Sequence, residues 1–322
     1  MKPYILIAFV CFFSSTFFIY VLFPRLKKSA EQPIYAEGPQ WHTKKQGTPT
    51  MGGVGFLFGI SACASGIIAY LFSVHENVIA ISLLLNISYA LLNSFVGIYD
   101  DLKKIKKKQN EGLTPKQKLI FQSIISVLYL FLRTRTVGVN TSVSIFGYRI
   151  ELGAWFYPII LFVMLGIVNC ANLTDGVDGL ASSVSSAIGI VVLIFSFAQS
   201  SDAPILGALL IGASFSFLLF NLNPAKIFMG DAGSLLLGAI AVGCAFSLSN
   251  PLFVLIIGIV YIIEGFSVVI QVVSFKIWKK RVFKMAPLHH HLELSGMHEN
   301  KIAYLGFLAT LAALLILLAF RS

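Results

Sequence analysis

Apolar residues occur along this chain in long runs that short polar segments separate. Each run is close to the ~20 residues that an α-helix needs to cross a hydrocarbon layer of ~30 Å. The pattern therefore predicts an all-α polytopic membrane protein whose whole chain, 1–322, forms one membrane-embedded domain. The ten predicted spans cover residues 3–24, 51–72, 78–99, 117–133, 154–171, 179–198, 203–220, 232–248, 251–273 and 302–320.

The composition excludes an ordinary soluble protein. Hydrophobic residues make up 57% of the chain and charged residues 12%, and the mean hydropathy is +0.84. Ten spans leave only short loops, so we expect no separate soluble domain. The four cysteines lie one by one in apolar runs and form no C-x-x-C pair, which argues against a disulfide framework or a thiolate metal site.

The basic residues predict the orientation of the spans. Ten spans place both termini on one side, and the loops then divide into two sets. One set carries 19 of the 24 Lys and Arg residues and the other, with the terminal residues, carries five. Cytoplasmic loops are enriched in Lys and Arg, so the first set is predicted to be cytoplasmic and both termini periplasmic or extracellular. The net charge of +10 is therefore explained first by the orientation of the spans and not by nucleic-acid binding. The same basic residues could also hold phosphates or anionic lipid head groups.

Among the outer loops, 137–152 alternates in polarity and predicts a small β-hairpin after the fourth span.

Five of the six aspartates lie at predicted cytoplasmic ends of spans. A carboxylate near hydrocarbon is costly unless it faces a polar cavity, a metal ion or a cation. Any one of them could be a solvated helix end, but five on one side indicate a functional site. These residues are Asp100, Asp101, Asp175, Asp178 and Asp231.

Three of these aspartates have the chemistry of a magnesium site. Asp100 and Asp101 are adjacent, and neighbouring carboxylates repel each other unless a divalent cation or lysines such as Lys104 offset them. Oxygen ligands of this kind suit Mg²⁺, which often bridges to a substrate phosphate. Asp231 begins a predicted helix and is either a helix cap or a metal ligand, and nearby Phe228 offers a ring face for a nucleobase.

The remaining polar positions lie in loops or inside a span. Segment 169–180 is a glycine-bearing break between two spans, and it is either a tight turn or a polar site. Three consecutive histidines, 289–291, cannot easily all face one zinc ion, so phosphate binding or proton transfer suits them better. Glu264 and Gln271 lie within the ninth span and must face polar partners, and Glu264 could be purely structural.

Five motifs, in order, carry a family resemblance over essentially the whole chain. They are K-x-G-T-P-T-M-G-G at 45–53, the aspartate pair at 100–101, N-L-T-D-G-V-D at 172–178, F-M-G-D at 228–231 and P-L-H-H-H-L-E at 287–293. Together they resemble the polyprenyl-phosphate N-acetylhexosamine-1-phosphate transferases, and within them the phospho-N-acetylmuramoyl-pentapeptide transferase family. Val177 and the absence of Trp after Gly296 depart from the family pattern, but both positions are peripheral to the expected chemistry.

The resemblance implies a Mg²⁺-dependent reaction at the cytoplasmic face of the bacterial inner membrane. Undecaprenyl phosphate would attack UDP-N-acetylmuramoyl-pentapeptide and give lipid I and UMP, with no nucleic acid involved. It also implies that Asp231 binds Mg²⁺ with Asn172 beside it, that Asp100 activates the lipid phosphate and that Asp101 assists. A homodimer is compatible with the family. The resemblance places these further residues around the substrates: Lys45, Thr50, Lys104, Lys118, Asn172, Asp175, Asp178, Asn221, Phe228, Gln271, His289, His290 and His291.

Three other readings of the sequence stay open. A sister enzyme that transfers N-acetylglucosamine-1-phosphate to the same lipid class would have similar acidic residues, although segment 45–53 and the triple histidine favour the muramoyl-pentapeptide donor. An ion-coupled transporter would also have buried acids and many spans. A catalytically inert membrane scaffold is the third.

Overall fold

The computed structural model describes residues 1–29, 45, 47–107, 112–145 and 148–319, and in these residues the chain is a bundle of α-helices. Nine of the described helices are long and apolar enough to cross a membrane. Leu180–Ser196, at the place of the sixth predicted span, is a shorter apolar helix of 17 residues. The helices are α1 Lys2–Ser29, α2 Gly53–Ser73, α3 Asn77–Lys107, α4 Pro115–Thr136, α5 Phe156–Thr174, α6 Leu180–Ser196, α7 Ala203–Asn221, α8 Gly230–Ser247, α9 Val254–Ile257, α10 Ile259–Trp278, α11 Leu288–Glu293 and α12 Glu299–Ala319.

Two four-residue strands lie between α4 and α5. Strand β1, Ser142–Ile145, pairs antiparallel with β2, Tyr148–Glu151. Residues 146 and 147, the turn of the hairpin that the sequence predicts here, lie outside the described residues.

Helix α8 lies at the centre of the bundle. In its 18-residue apolar window 89% of the residues are buried, whereas the figure for α1 is 17%. Small residues on α8 allow this close packing: Gly238 lies against Val168 and Ala171 of α5, and Gly243 lies against Asn86 of α3. The first residues of α8, which include Asp231, are therefore held among several neighbouring helices.

Helix α3 continues about two turns beyond the predicted end of its span at residue 99 and ends at Lys107. Asp100 and Lys104 stand one turn apart in this extension, with Oδ2 of the acid 2.6 Å from Nζ of the lysine. Such i,i+4 pairs stabilise helices. The aspartate pair is consequently fixed on a helix and does not lie in a loop.

The ninth predicted span, 251–273, is interrupted. It begins with a 3-10 turn at Pro251–Phe253 and a single turn, α9, and Gly258 separates these from α10. Pro251 lacks a backbone N–H, and at Gly258 the backbone leaves helical geometry, so one continuous helix does not form here. Glu264 and Gln271 both lie on α10.

The polar residues that the sequence singles out gather where several helices end. The C-termini of α3 and α5 meet the N-termini of α4 and α8 there, as contacts among Lys104, Lys118, Asn172 and Asp231 show. We call this the polar end of the bundle. The opposite end, where α7 begins and α8 finishes, contains Asp202.

Candidate active site

Three carboxylates form an acidic cluster at the polar end: Asp100, Asp101 and Asp231. One oxygen from each lies within 4.8 Å of the others. Asp100 and Asp101 are 3% and 2% exposed. Three carboxylates at this separation repel one another strongly unless nearby cations or a shared proton offset their charge. Oxygen-only donors in this number fit a Mg²⁺ ion, which binds through carboxylates and retains waters.

Two lysines stand against the acidic cluster. Lys104 Nζ lies 2.6 Å from Asp100 Oδ2, 3.1 Å from Asp231 Oδ2 and 3.9 Å from Asp101 Oδ1. Lys118, from the first turn of α4, places its Nζ 2.8 Å from Asp231 Oδ2. The lysines partly neutralise the three acids and leave positive groups beside the site that a phosphate could contact.

Asp101 also caps the central helix. Its Oδ1 accepts the backbone N–H of Asp231 at 3.2 Å, and its Oδ2 accepts that of Ala232 at 3.0 Å. These are among the first N–H groups of α8, which have no partner within the helix. The sequence offered a cap role for Asp231, but Asp101, from a different helix, supplies the cap.

Two glycines allow α3 and α8 to meet at this point. Gly230 has φ +73°, a conformation that favours glycine, and a Cβ there would lie 2.6 Å from Asp101 Oδ2. A Cβ on Gly97 would overlap the carbonyl oxygen of Asp231. The acidic cluster therefore depends on close backbone contact between the two helices.

Asn172, at the end of α5, orients Asp231 from the other side. Its amide nitrogen donates to Asp231 Oδ1 at 2.9 Å and to Ser234 Oγ at 2.8 Å, while its oxygen accepts from Lys118 Nζ at 3.3 Å. With the nitrogen toward Asp231, the oxygen of Asn172 faces a lysine. Oxygens of Asp100 and Asp101 converge with one of Asp231.

A second polar group surrounds Asp178. Lys45 Nζ bridges Asp178 Oδ1, at 2.8 Å, and Glu299 Oε2, at 2.6 Å. The same Glu299 oxygen accepts the backbone N–H of Asp178 at 3.0 Å. Sequence reasoning assigned Lys45 and Asp178 to the site but missed Glu299, whose one available signal was an acid at the start of the last span.

Asp175 lies in the segment that joins α5 to α6, three residues before Asp178. Partial burial of its carboxyl group raises the pKa of Asp175 well above its usual range, and the nearby carboxylates of Asp231, Asp101 and Asp178 raise it further. Burial and the neighbouring negative charges therefore both favour the neutral form of this carboxyl group.

Other predicted site residues hold loops in place. Asn221 Oδ1 accepts the backbone N–H of Gly179 at 2.9 Å, and its nitrogen donates to the carbonyl oxygen of Ile227 at 2.9 Å, so it joins two loops. Phe228, which is partly buried, donates its backbone N–H to the Pro49 carbonyl oxygen at 2.8 Å. Thr50 is buried, and its hydroxyl has no partner among the described residues.

Gln271 supports the loop after α10. Its nitrogen donates to the carbonyl oxygen of Phe283, and its oxygen accepts the N–H groups of Val282 and Phe283. These bonds use both ends of the amide group, so Gln271 fixes the loop that leads to the histidines.

The three consecutive histidines have three different partners. The Nδ1 of His289 lies 3.1 Å from Glu264 Oε2, and the Nδ1 of His290 lies 2.6 Å from Glu293 Oε2. His291 Nδ1 accepts the backbone N–H of Lys284 at 3.1 Å. The Nδ1 atoms of the three rings therefore face three different groups.

A family model, a family signature and several known enzymes are similar to this chain. The model of glycosyl transferase family 4 matches residues 81–249, and signature 1 of the phospho-N-acetylmuramoyl-pentapeptide-transferases matches residues 45–57. A phospho-N-acetylmuramoyl-pentapeptide-transferase of Staphylococcus epidermidis is 42% identical over 290 residues, which cover 88% of each chain. Enzymes with the same name from Halalkalibacterium halodurans and Thermoanaerobacter pseudethanolicus are 41% and 40% identical and share 84% and 88% of this chain with 82% and 87% of their own.

Proposed function

The chain belongs to the phospho-N-acetylmuramoyl-pentapeptide-transferase family, and from this premise we propose that its acidic cluster is the active site. The protein transfers phospho-N-acetylmuramoyl-pentapeptide from UDP-N-acetylmuramoyl-pentapeptide to undecaprenyl phosphate and forms lipid I and UMP in peptidoglycan synthesis. The observation that carries the assignment of the site is the convergence of Asp100, Asp101 and Asp231 with two lysines.

In the proposed reaction an oxygen of the lipid phosphate forms a bond to the sugar-linked phosphorus. The bond from that phosphorus to the bridging oxygen breaks, and UMP leaves with the electron pair. Phosphoryl transfer needs alignment and charge neutralisation more than covalent help from protein, so we favour this direct displacement over a phospho-enzyme. When bound, Mg²⁺ would neutralise phosphate charge, and Asp231 would hold it with Asn172 beside it and Asp101 assisting.

The chain's own groups have separate proposed roles. Asp100 takes the proton of the lipid phosphate and orients that phosphate for attack; its Oδ1 already accepts the backbone N–H of Leu113. Lys104 and Lys118 contact the phosphate oxygens. The group around Asp178, with Lys45 and the loops that Asn221 joins, binds the nucleotide, and Phe228 stacks on its base.

We place the polar end on the cytoplasmic side of the bacterial cell membrane. The loops at this end carry most of the Lys and Arg residues, which supports that orientation. With α6 counted as a tenth span, both termini lie outside. A polyprenyl phosphate can then keep its tail in lipid while its head group meets a soluble nucleotide at the interface.

The decisive experiment is an assay of the purified protein. Undecaprenyl phosphate, UDP-N-acetylmuramoyl-pentapeptide and Mg²⁺ should give stoichiometric UMP, and UDP-N-acetylglucosamine should give none. The match of segment 45–57 to the muramoyl-pentapeptide signature favours this donor. UMP from UDP-N-acetylglucosamine alone would indicate the sister enzyme, and solute uptake without UMP would indicate a transporter.

A further inference from the structure

Glu264 is a buried acid inside a membrane-spanning helix. It lies in α10, within the apolar window of that helix, and is 4% exposed. Its Oε2 accepts the backbone N–H of His289 at 3.2 Å and lies 3.1 Å from Nδ1 of the same residue. An acid at such a position is costly without partners, and His289 supplies two contacts.

The two contacts fix the orientation of the imidazole ring. An ionised carboxylate can only accept, so opposite an ionised Glu264 the Nδ1 atom carries the hydrogen. In a neutral ring Nε2 is then left with a lone pair and can only accept. His289 is 0% exposed, and its Nε2 has no hydrogen-bond partner among the described residues. A buried polar atom without a partner costs about 1–3 kcal/mol.

The free nitrogen faces the segment that joins α5 and α6. A Cβ built on Gly176 would overlap His289 Nε2, so the backbone of Gly176 lies directly against it. Gly176 follows Asp175 and lies two residues before Asp178, the partner of Lys45. The ring thus links the membrane-embedded α10 to the segment proposed to bind the nucleotide.

We propose that Glu264 is a positioning residue that presents His289 Nε2 to the bound nucleotide-sugar. A hydroxyl or N–H group of that substrate donates the hydrogen bond that Nε2 lacks, as the backbone at Gly176 shifts to admit it. The absence of a side chain at Gly176 leaves room for the ring. This inference rests on the proposed function, because it assigns a role at the same site.

A double-mutant cycle tests the proposal. Glu264→Leu and His289→Ala should each lower kcat/KM for UDP-N-acetylmuramoyl-pentapeptide by at least about 10-fold, roughly the effect of one lost hydrogen bond. The double variant should be no worse than His289→Ala alone, because both changes remove the same contact. Glu264→Gln keeps an acceptor oxygen and should retain activity within about 3-fold. KM for undecaprenyl phosphate should not change in any of them.

Controls separate this role from a structural one. Ser267→Ala, one turn along α10, removes only a bond to the backbone oxygen of Glu264 and should behave as the wild type. The proposal would be overturned if the fold-losses in kcat/KM of the two single variants multiply in the double variant. It would also be overturned if Glu264→Gln loses as much kcat/KM as Glu264→Leu. A wild-type protein that releases no UMP would instead refute the proposed function.

A second measurement does not depend on the folding of Glu264→Leu. In protein labelled with ¹⁵N-histidine, the signals that disappear in His289→Ala should report a ring protonated at Nδ1 and unprotonated at Nε2 before substrate is added. Adding UDP-N-acetylmuramoyl-pentapeptide should shift the Nε2 signal. A ring protonated at Nε2 alone, or a signal that the nucleotide-sugar leaves unchanged, would contradict the proposal.

Discussion

Lys118 Nζ lies 2.8 Å from Asp231 Oδ2, and the two residues stand in the first turns of different helices, α4 and α8. Helix N-termini carry partial positive charge, so both helices favour anionic groups at this point. The carboxylate of Asp231 neutralises part of this positive charge. We infer that the positive charge that is left attracts the phosphates of both substrates.

Asp231→Asn should lower turnover by about 100-fold or more, because it removes a charged oxygen from the acidic cluster. The amide keeps the shape of the side chain, so the variant should fold, and it should need more Mg²⁺ for half-maximal activity. UMP release measured over a Mg²⁺ titration checks this. Unimpaired turnover would remove Asp231 from the metal site.

Lys118→Ala should also abolish most activity, since it leaves Asp231 with one cation fewer and takes a positive group from the phosphates. We expect a loss of about 100-fold in kcat/KM. Lys116→Ala is the matched control, because Lys116 lies on the same turn of α4 and is exposed. Equal losses in both variants would point to the overall charge of the loop as the cause.

Gly97→Ala should separate α3 from α8 at the acidic cluster, because the new Cβ would overlap the carbonyl oxygen of Asp231. We predict a loss of stability of about 1–3 kcal/mol and a larger proportional loss of activity. Gly66→Ala, on α2, meets open space and should leave activity intact. Thermal unfolding and UMP release are measured for both variants in detergent. Equal stability and equal activity in the two variants would contradict the prediction.

Lys45→Met should leave Asp178 and Glu299 facing each other without their shared cation. The resulting repulsion should move the segment around Asp178 and raise KM for the nucleotide-sugar by about 10-fold. KM for undecaprenyl phosphate should stay unchanged. Lys301→Met, an exposed position on α12, is the control. A selective rise in the KM of the lipid would place Lys45 at the other substrate.

Asp202, at the end opposite the polar end, should make stability depend on pH. Burial raises the pKa of Asp202, although Arg133 and hydrogen bonds from Ser82, Ser247 and Asn86 lower it in part. The folded protein therefore binds this proton more tightly than the unfolded chain. The contribution to stability is complete below about pH 4, the unfolded value, and is lost as the pH rises through the higher folded pKa.

Thermal unfolding across this pH range provides the measurement. The decline with rising pH should be shallower in Asp202→Asn than in the wild type. Glu76→Gln, which changes an exposed acid, should leave the slope as it is. Parallel curves for the wild type and Asp202→Asn would show that Asp202 does not titrate in this way.

Local properties of the sequence predicted most of the helices. In hydrocarbon every backbone N–H and C=O group needs a partner within its own segment, so a long apolar run has little alternative to a helix. The same reasoning placed Asp231 at the start of α8 and Asp175 between two helices. It ended α3 too early, because a hydropathy pattern stops at Asp100 while the helix continues through the Asp100–Lys104 pair.

Contacts between distant residues decided which side chains meet at the polar end. Sequence reasoning treated Gln271 and Asn221 as cleft residues, and the structure adds that their amides hydrogen-bond to loops. It gave no reason to pair Lys45 with Glu299, which is 254 residues away.

The sequence by itself determined that the chain is a helical membrane protein with acids at one end of its spans, because helix formation and insertion depend on neighbouring residues and on composition. Only the tertiary structure decided which acids lie together. It also decided that Asp101 of α3 caps α8, a helix far away in the sequence. A hydrogen bond acts over about 3 Å, and the packing of α3 against α8 sets which groups come that close.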